Sequence, residues 1–156
     1  MLYFLDTEFI ELGASSPNYL LSIGVITEDG REYYAENAEA PIGLANTWVR
    51  EHVFPHLKWK HQKSLQMIRQ DILAFLDREA IFWGYYCDYD WVIFCQNIFG
   101  RMVDIPDFLP KYCNDLRQHL NSLGLVNIRQ PDDAPHNALS DARWIRDTYL
   151  QYKEAA

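Results

Sequence analysis

Asp6 and Glu8 stand two residues apart inside the apolar run "YFLDTEFIEL", residues 3–12. In an extended strand alternate side chains share a face, so both carboxylates lie on one side, with Phe4 and Ile10. Two acids side by side in apolar surroundings repel each other and lose hydration. A bound cation is the simplest compensation. Two further acids occupy positions that chemistry can use. Asp90 follows the apolar stretch "AIFWGYY", residues 80–86, and ligand crevices of open α/β sheets form at the carboxyl ends of strands. Asp141 falls one turn into the last helical segment, with Ala138 and Ile145 as neighbours on its face. The stretch "HNALSDA", residues 136–142, puts His136 just ahead of that helix. A histidine there can take the proton of a water that attacks an electrophile.

Each of these residues also has a plain structural reading. Asp90 and Asp141 suit the first turn of a helix, where the dipole favours an acid, and His136 could simply cap or pack a loop. Asp6 and Glu8 resist such a reading. Oxygen-only ligands favour the hard ions Mg²⁺ or Mn²⁺ over zinc. Two such ions can stabilise both the attacking and the leaving oxygen of a phosphoryl displacement. Asp88 competes with Asp90: if the preceding strand ran on, period two would put both on one face.

The elements that must position these groups follow from patterning. Residues 2–10 read as a strand, and residues 19–28 as a second, mostly apolar one. Asp29-Gly30 marks a turn and residues 31–36 a third strand, which makes a hairpin. Residues 37–47 read as loop. "TWVREHVF" is a short helix ending before Pro55. Helical spacing of Leu65, Ile68, Ile72, Phe75 and Leu76 predicts a helix within residues 63–79. Residues 80–86 return to a strand, 90–99 to a helix, and 113–124 to another, with Asn114 or Asp115 near its cap and Gly124 ending it. Residues 138–154 form a long helix opened by Asn137. A hairpin followed by helix–strand–helix predicts an α/β fold with a mixed central sheet flanked by helices.

Bulk properties narrow the class. The chain has 156 residues, 49% of them hydrophobic and 15% aromatic, which suits one domain spanning residues 1–156 and excludes a disordered tail. Cys87, Cys95 and Cys113 show no CxxC spacing, which argues against a zinc ribbon or disulfide framework and fits a reducing cytoplasm. No apolar run approaches a membrane span, and charge interrupts the first residues too early for a signal peptide. The formal net charge of −8 speaks against a nucleic-acid partner. That objection weakens when four acids are counted as metal ligands, and any basic path must be local.

"DTE" at 6–8, "YD" at 89–90 and "HNALSD" at 136–141 resemble the three motifs of the DEDDh 3′–5′ exonucleases, in order and spacing along nearly the whole chain. Length and the opening "FLDTEFIELG" look most like the small bacterial polyadenylate-specific exoribonucleases called RNase AS. The resemblance implies an RNase H-like fold, with Asp6, Glu8, Asp90 and Asp141 as ligands of two Mg²⁺ ions that Mn²⁺ can replace. It implies His136 as general base, with Glu8 sharing in catalysis. It places Thr7, Phe9 and Ile10 at the substrate, with Phe9 and Ile10 wedged against the terminal base. It also implies a homodimer, for which Trp48 or Trp144 could supply an interface. One departure stands at Tyr86, where many relatives carry Asn.

The implied activity is metal-dependent hydrolysis of single-stranded RNA from its 3′ end, releasing 5′-nucleotides, with adenylate-rich ends preferred. A DNA-directed proofreading-type exonuclease and a catalytically silent RNA-binding domain are the rival readings. "HLKWKHQK", residues 56–63, interleaves lysines with Trp59 and could guide the RNA backbone, as could Arg143 and Arg146 beside Asp141. Each also reads as an exposed, solvated face.

Overall fold

The computed structural model describes residues 1–13, 16–131 and 136–153. Six strands form one sheet in the order β4-β3-β2-β1-β5-β6. They are β1 (Leu2–Ile10), β2 (Tyr19–Thr27), β3 (Glu32–Asn37), β4 (Gln62–Lys63), β5 (Ile81–Gly84) and β6 (Asn114–Asp115). β2 pairs antiparallel with both β1 and β3, whereas β3–β4, β1–β5 and β5–β6 are parallel. The sheet is therefore mixed, with β2 alone running against the rest. Five helices surround it: α1 (Thr47–His52), α2 (Leu65–Phe75), α3 (Asp88–Phe99), α4 (Leu116–Ser122) and α5 (Ala138–Tyr152). This is the α/β, RNase H-like arrangement that the patterning and the motifs predict.

The period-two side chains of β1 feed two layers. Tyr3 and Leu5 pack with Ile68 and Ile72 of α2 and Trp91 and Phe94 of α3. Phe4, on the other face, packs with Leu116 and Leu120 of α4 and Ala142 and Ile145 of α5. Burying each such aliphatic or aromatic side chain stabilises the fold by roughly 1.5–3 kcal/mol. The register of β1 against β2 shifts between Glu8 and Phe9. Past that irregularity Ile10 enters a third cluster with Leu21, Val49 and Val53, under α1.

Caps account for the helix starts. The side chains of Asn46, Ser64, Asp115 and Asn137 each accept from a backbone N–H one turn on, at Val49, Met67, Gln118 and Ser140. α5 seats unusually close to the sheet. A Cβ added at Gly24, the residue paired with Asp6, would lie 2.3 Å from the carbonyl of Ala138 and 2.4 Å from the nitrogen of Leu139. Only a residue without a side chain admits that approach.

Several boundaries differ from the expected ones. Pro55 does not stop the chain's helical course: α1 ends at His52 and a 3₁₀ turn follows at Phe54–His56, with Pro55 in its first turn, where its missing N–H costs nothing. α2 ends at Phe75, and the strand expected over 80–86 is only Ile81–Gly84. Asp88 rather than Asp90 opens α3. The helix expected from residue 113 begins at Leu116, because Asn114 and Asp115 pair with Trp83 and Gly84 instead. The last helix ends at Tyr152, and residue 154 lies outside the described residues. Among the described residues no helix is long and apolar enough to cross a membrane.

Candidate metal and catalytic centre

β1 delivers Asp6 and Glu8 onto the face that α5 covers. α5 delivers Asp141 from its first turn, and α3 delivers Asp90 from its own. Two residues apart on a helix means nearly opposite directions. Asp90 is accordingly buried, at 6% exposure, and Asp88 is exposed. Asp90 Oδ1 accepts two hydrogen bonds from Thr7, from the backbone N–H at 2.8 Å and from Oγ1 at 2.6 Å. Those bonds tie the start of α3 to the strand that carries the acidic pair. Asp141 Oδ1 accepts from Gln130 Nε2 at 2.7 Å. One ligand atom from each of Glu8, His136 and Asp141 lies within 4.8 Å of the other two. Asp6 and Asp90 stand around this trio without entering it.

The electrostatics describe a site short of positive charge. Burial, then the charges of Asp90, Glu8 and Asp141, hold the Asp6 carboxyl well above the usual carboxylate range. Burial, then Asp141 and Asp90, push Glu8 up to about 8. Asp141 is pushed up to about 7, mainly by burial, with Asp90's charge adding to it and the hydrogen bonds that it accepts opposing it. Burial raises Asp90 to about 6, held back by the two Thr7 bonds. None of the four forms an ion pair with Lys or Arg among the described residues. Four carboxylates and one imidazole without a counter-charge are a donor set that suits a hard divalent cation. The residues present therefore fit Mg²⁺ or Mn²⁺.

His136 sits in an aromatic setting. Trp48 of α1 stacks on His52 at 4.9 Å and meets His136 edge-on at 4.8 Å. Asn137 Nδ2 donates to the carbonyl of His56 at 3.2 Å, fastening the start of α5 to the turn after α1. Burial, then His52 and His56, hold the His136 pKa below that of a free imidazole. His136 is thus neutral, and able to accept a proton, at lower pH than a free imidazole.

Other anticipated residues fall into place less simply. Phe9 is half-buried and lines a cavity of about 280 Å³ with Glu8, Glu11, Asn46, Trp48 and Val49. Ile10 is fully buried, and Thr7 is 5% exposed with its hydroxyl committed to Asp90. Trp144 is half-buried against Tyr85 at 4.9 Å rather than presented to solvent, because α5 turns that face towards the sheet. Arg143 is held by both oxygens of Glu32, at 2.6 and 2.7 Å, and Arg146 pairs with Asp147. In the lysine-rich loop Lys63 pairs with Asp71 and Lys58 lies over the Tyr34 ring. Gln130, Gly24 and the Trp48 contact with His136 escaped the sequence reading. No local spacing marks them, since each depends on which segments the fold brings together.

The chain is 37% identical over 150 residues to proteins named 3′–5′ exoribonuclease in two strains of Mycobacterium tuberculosis, CDC 1551 / Oshkosh and ATCC 25618 / H37Rv. The match covers 92% of this chain and 88% of each relative. A solved structure of the Saccharomyces cerevisiae Pan2 pseudoubiquitin hydrolase–RNA exonuclease module, in complex with AAGGA RNA, matches with a TM-score of 0.58. That match, at 16% identity, covers 98% of this chain and 29% of that one, and it shows the fold alone. No family model matches the chain.

Proposed function

The chain belongs to the family of these 3′–5′ exoribonucleases, and we propose that it is itself a metal-dependent hydrolase of single-stranded RNA, acting from the 3′ end and releasing 5′-nucleotides. The observation that carries this reading is that ligand atoms of Glu8, His136 and Asp141 lie within 4.8 Å of one another while Asp6 is buried among the charges of Asp90, Glu8 and Asp141. In this reading the four carboxylates hold Mg²⁺ or Mn²⁺, most simply as two ions. Bound there, the metal supplies positive charge to the oxygens on which negative charge develops during displacement at phosphorus.

The chain's own residues do the rest. His136, kept neutral by burial and by two neighbouring histidines, accepts the proton of the attacking water. Trp48 holds the imidazole from its side, and Asn137 holds the helix end that follows it. A Glu8 carboxylate oxygen lies within 4.8 Å of a ligand atom of His136 and of Asp141, close enough for Glu8 to share a cation with them. Thr7 acts through Asp90. Phe9, which lines the cavity that Trp48 shares, is the surface for the terminal base, and Ile10, fully buried with Val49 and Val53 of the α1 region, anchors the end of β1 rather than meeting the base. Preference for adenylate-rich ends, pairing of two copies and a cytoplasmic location belong to the same reading.

The test uses 3′-adenylated RNA, the same RNA with a mixed-sequence end, and matched DNA, each with Mg²⁺ and with EDTA. Shortening of the RNA from its 3′ end in Mg²⁺ alone, fastest at the adenylated end, is expected. Equal rates on RNA and DNA would instead make it a proofreading-type exonuclease. Full activity in EDTA would remove the mechanism. Sedimentation of the same sample reads the number of copies.

A further inference from the structure

A second cavity, of about 560 Å³, shares no lining residue with the Phe9–Trp48 pocket. Its walls include Tyr85, Tyr86, Arg117, Asn121, Arg129 and Gln130, and among the described residues no carboxylate lines it. In a chain of net charge −8 that is a local reversal of sign. Gln130 joins the cavity to the centre directly, through its bond to Asp141.

Two features give this cavity its character. Arg117 is 7% exposed, and its guanidinium donates to the carbonyls of Ile128 and Leu125. A guanidinium carries five N–H groups, and Arg117 Nε has no partner among the described residues. The carbonyls of Ile128 and Leu125 engage two of the five, and Arg117 lines the cavity, so its fixed positive charge acts on an anion that enters there. Tyr86 is the second feature. Its backbone is left-handed, at φ 53°, a conformation that L side chains rarely adopt, and the residue is 57% exposed. The ring stands edge-on to Tyr85 at 4.7 Å, and Tyr85 is in turn braced by Trp144 of α5. Strain of this kind persists where the surroundings force it, and such residues cluster at ligand sites. Here it displays a flat aromatic face at the rim of a basic cavity.

Fixed guanidinium, exposed guanidinium and exposed aromatic face together match one chemistry, a nucleotide with its phosphodiester. We propose that this cavity is the subsite for the nucleotide on the 5′ side of the scissile bond, its phosphate on Arg117 and Arg129 and its base against Tyr86. The inference rests on the exoribonuclease reading: a strand whose terminal nucleoside occupies the Phe9–Trp48 pocket crosses the acids and enters here. Arg117 is already anchored, so its ordering is complete before RNA arrives. Arg129 is exposed and supplies the second charge.

Arg117 also ties down the segment around Leu125 and Ile128, so its replacement could unfold the protein. Arg129→Ala and Tyr86→Ala change exposed side chains and avoid that ambiguity. Binding is read without catalysis, by fluorescence anisotropy of a 5′-labelled pentaribonucleotide in EDTA, with a 5′-mononucleotide as competitor. Each variant should raise Kd for the pentamer about 10-fold and move that for the mononucleotide less than about twofold, and Tyr86→Phe should restore pentamer binding. Arg129→Ala should also reduce the slope of log K against log salt by about 0.7, one phosphate contact on a single strand. Unchanged pentamer affinity in both alanine variants, or equal weakening of both ligands, overturns the subsite. Wild-type protein that trims RNA in Mg²⁺ while its variants behave so leaves the exoribonuclease reading standing. Wild-type protein that neither binds nor trims RNA removes both.

Discussion

Gly24→Ala should damage the centre from a distance. The added methyl carbon would sit 2.3 Å from two backbone atoms of Ala138 and 2.4 Å from Leu139 N, against a normal contact of 3.4 Å or more. Neither partner is the free end of a side chain, so the relief must come from moving the start of α5 away from β2 by roughly 1 Å. Overpacking of this kind costs roughly 1–3 kcal/mol, and rigid backbone on both sides puts the value near the top of that range. For a chain of this size each kcal/mol lowers Tm by roughly 2–4 °C, so a fall of roughly 6–12 °C is expected. The displaced segment carries His136 and Asp141. Misplacement by ~1 Å can cost ~10²-fold in rate, so activity measured well below the lowered Tm should fall on that order. Gly43→Ala is the control, since a Cβ there meets nothing within 4 Å and its φ is unremarkable. Differential scanning calorimetry and 3′-end trimming of labelled RNA, on both variants, check the prediction. A Gly24→Ala protein with wild-type Tm and rate would mean that α5 is not seated on β2 as described.

Three further outcomes follow from the acidic centre. The folded-state pKa values of Asp90, Asp141 and Glu8, at about 6, 7 and 8, lie above unfolded values near ~4, so the native state binds more protons between those limits. Their contribution is therefore fully present below ~4 and is lost as pH rises through 6 to 8. The loss is on the order of 1.4 kcal/mol per pH unit for each extra proton held, opposed by a smaller term from His136, whose pKa is depressed. Urea unfolding in EDTA from pH 5 to 8 should show that decline and Mg²⁺ should reverse it; stability that rises across the range would contradict the raised values. Asp90→Asn should reduce turnover by orders of magnitude and Asp88→Asn by little, as steady-state kinetics on labelled RNA will read, and the opposite ranking would exchange their roles. His136→Ala should keep Mg²⁺ binding by calorimetry yet lose roughly 10²–10⁴-fold in rate, the contribution of a positioned base, and near-normal turnover would reduce His136 to a packing residue.

Much of this arrangement was legible because the signals are local. An apolar run marked β2, the Asp29-Gly30 turn marked β3, and Asn137 announced α5 through a cap that the structure contains. Asp6 with Glu8 stood out because acids inside an apolar strand need a reason. β4 and β6 were invisible for the opposite cause. Each is a two-residue bridge whose extended form comes from a neighbouring strand: Asp115 caps α4 as its type suggests, but nothing local shows that Asn114 and Asp115 also pair with β5. Ile10 shares the face of Asp6 and Glu8 as alternation requires. What alternation could not tell is that α1 covers that end of the strand and removes Ile10 from solvent.

The way in which the acids are held bears on what the centre is built to do. Each helix-borne acid accepts a bond from a neutral donor, Asp90 from Thr7 and Asp141 from Gln130. Among the described residues no lysine or arginine pairs with either. A cationic partner would have relieved the repulsion and stabilised the metal-free fold, because removing buried like charges, or pairing them, is worth kcal/mol. It would also have occupied the position and the charge that a divalent ion needs. Neutral donors fix the carboxylates in place and leave their negative charge unspent. A site arranged in this way gives up stability in the empty protein for affinity towards a cation, which is why Mg²⁺ should raise Tm most at the pH where the four carboxyls are most fully ionised.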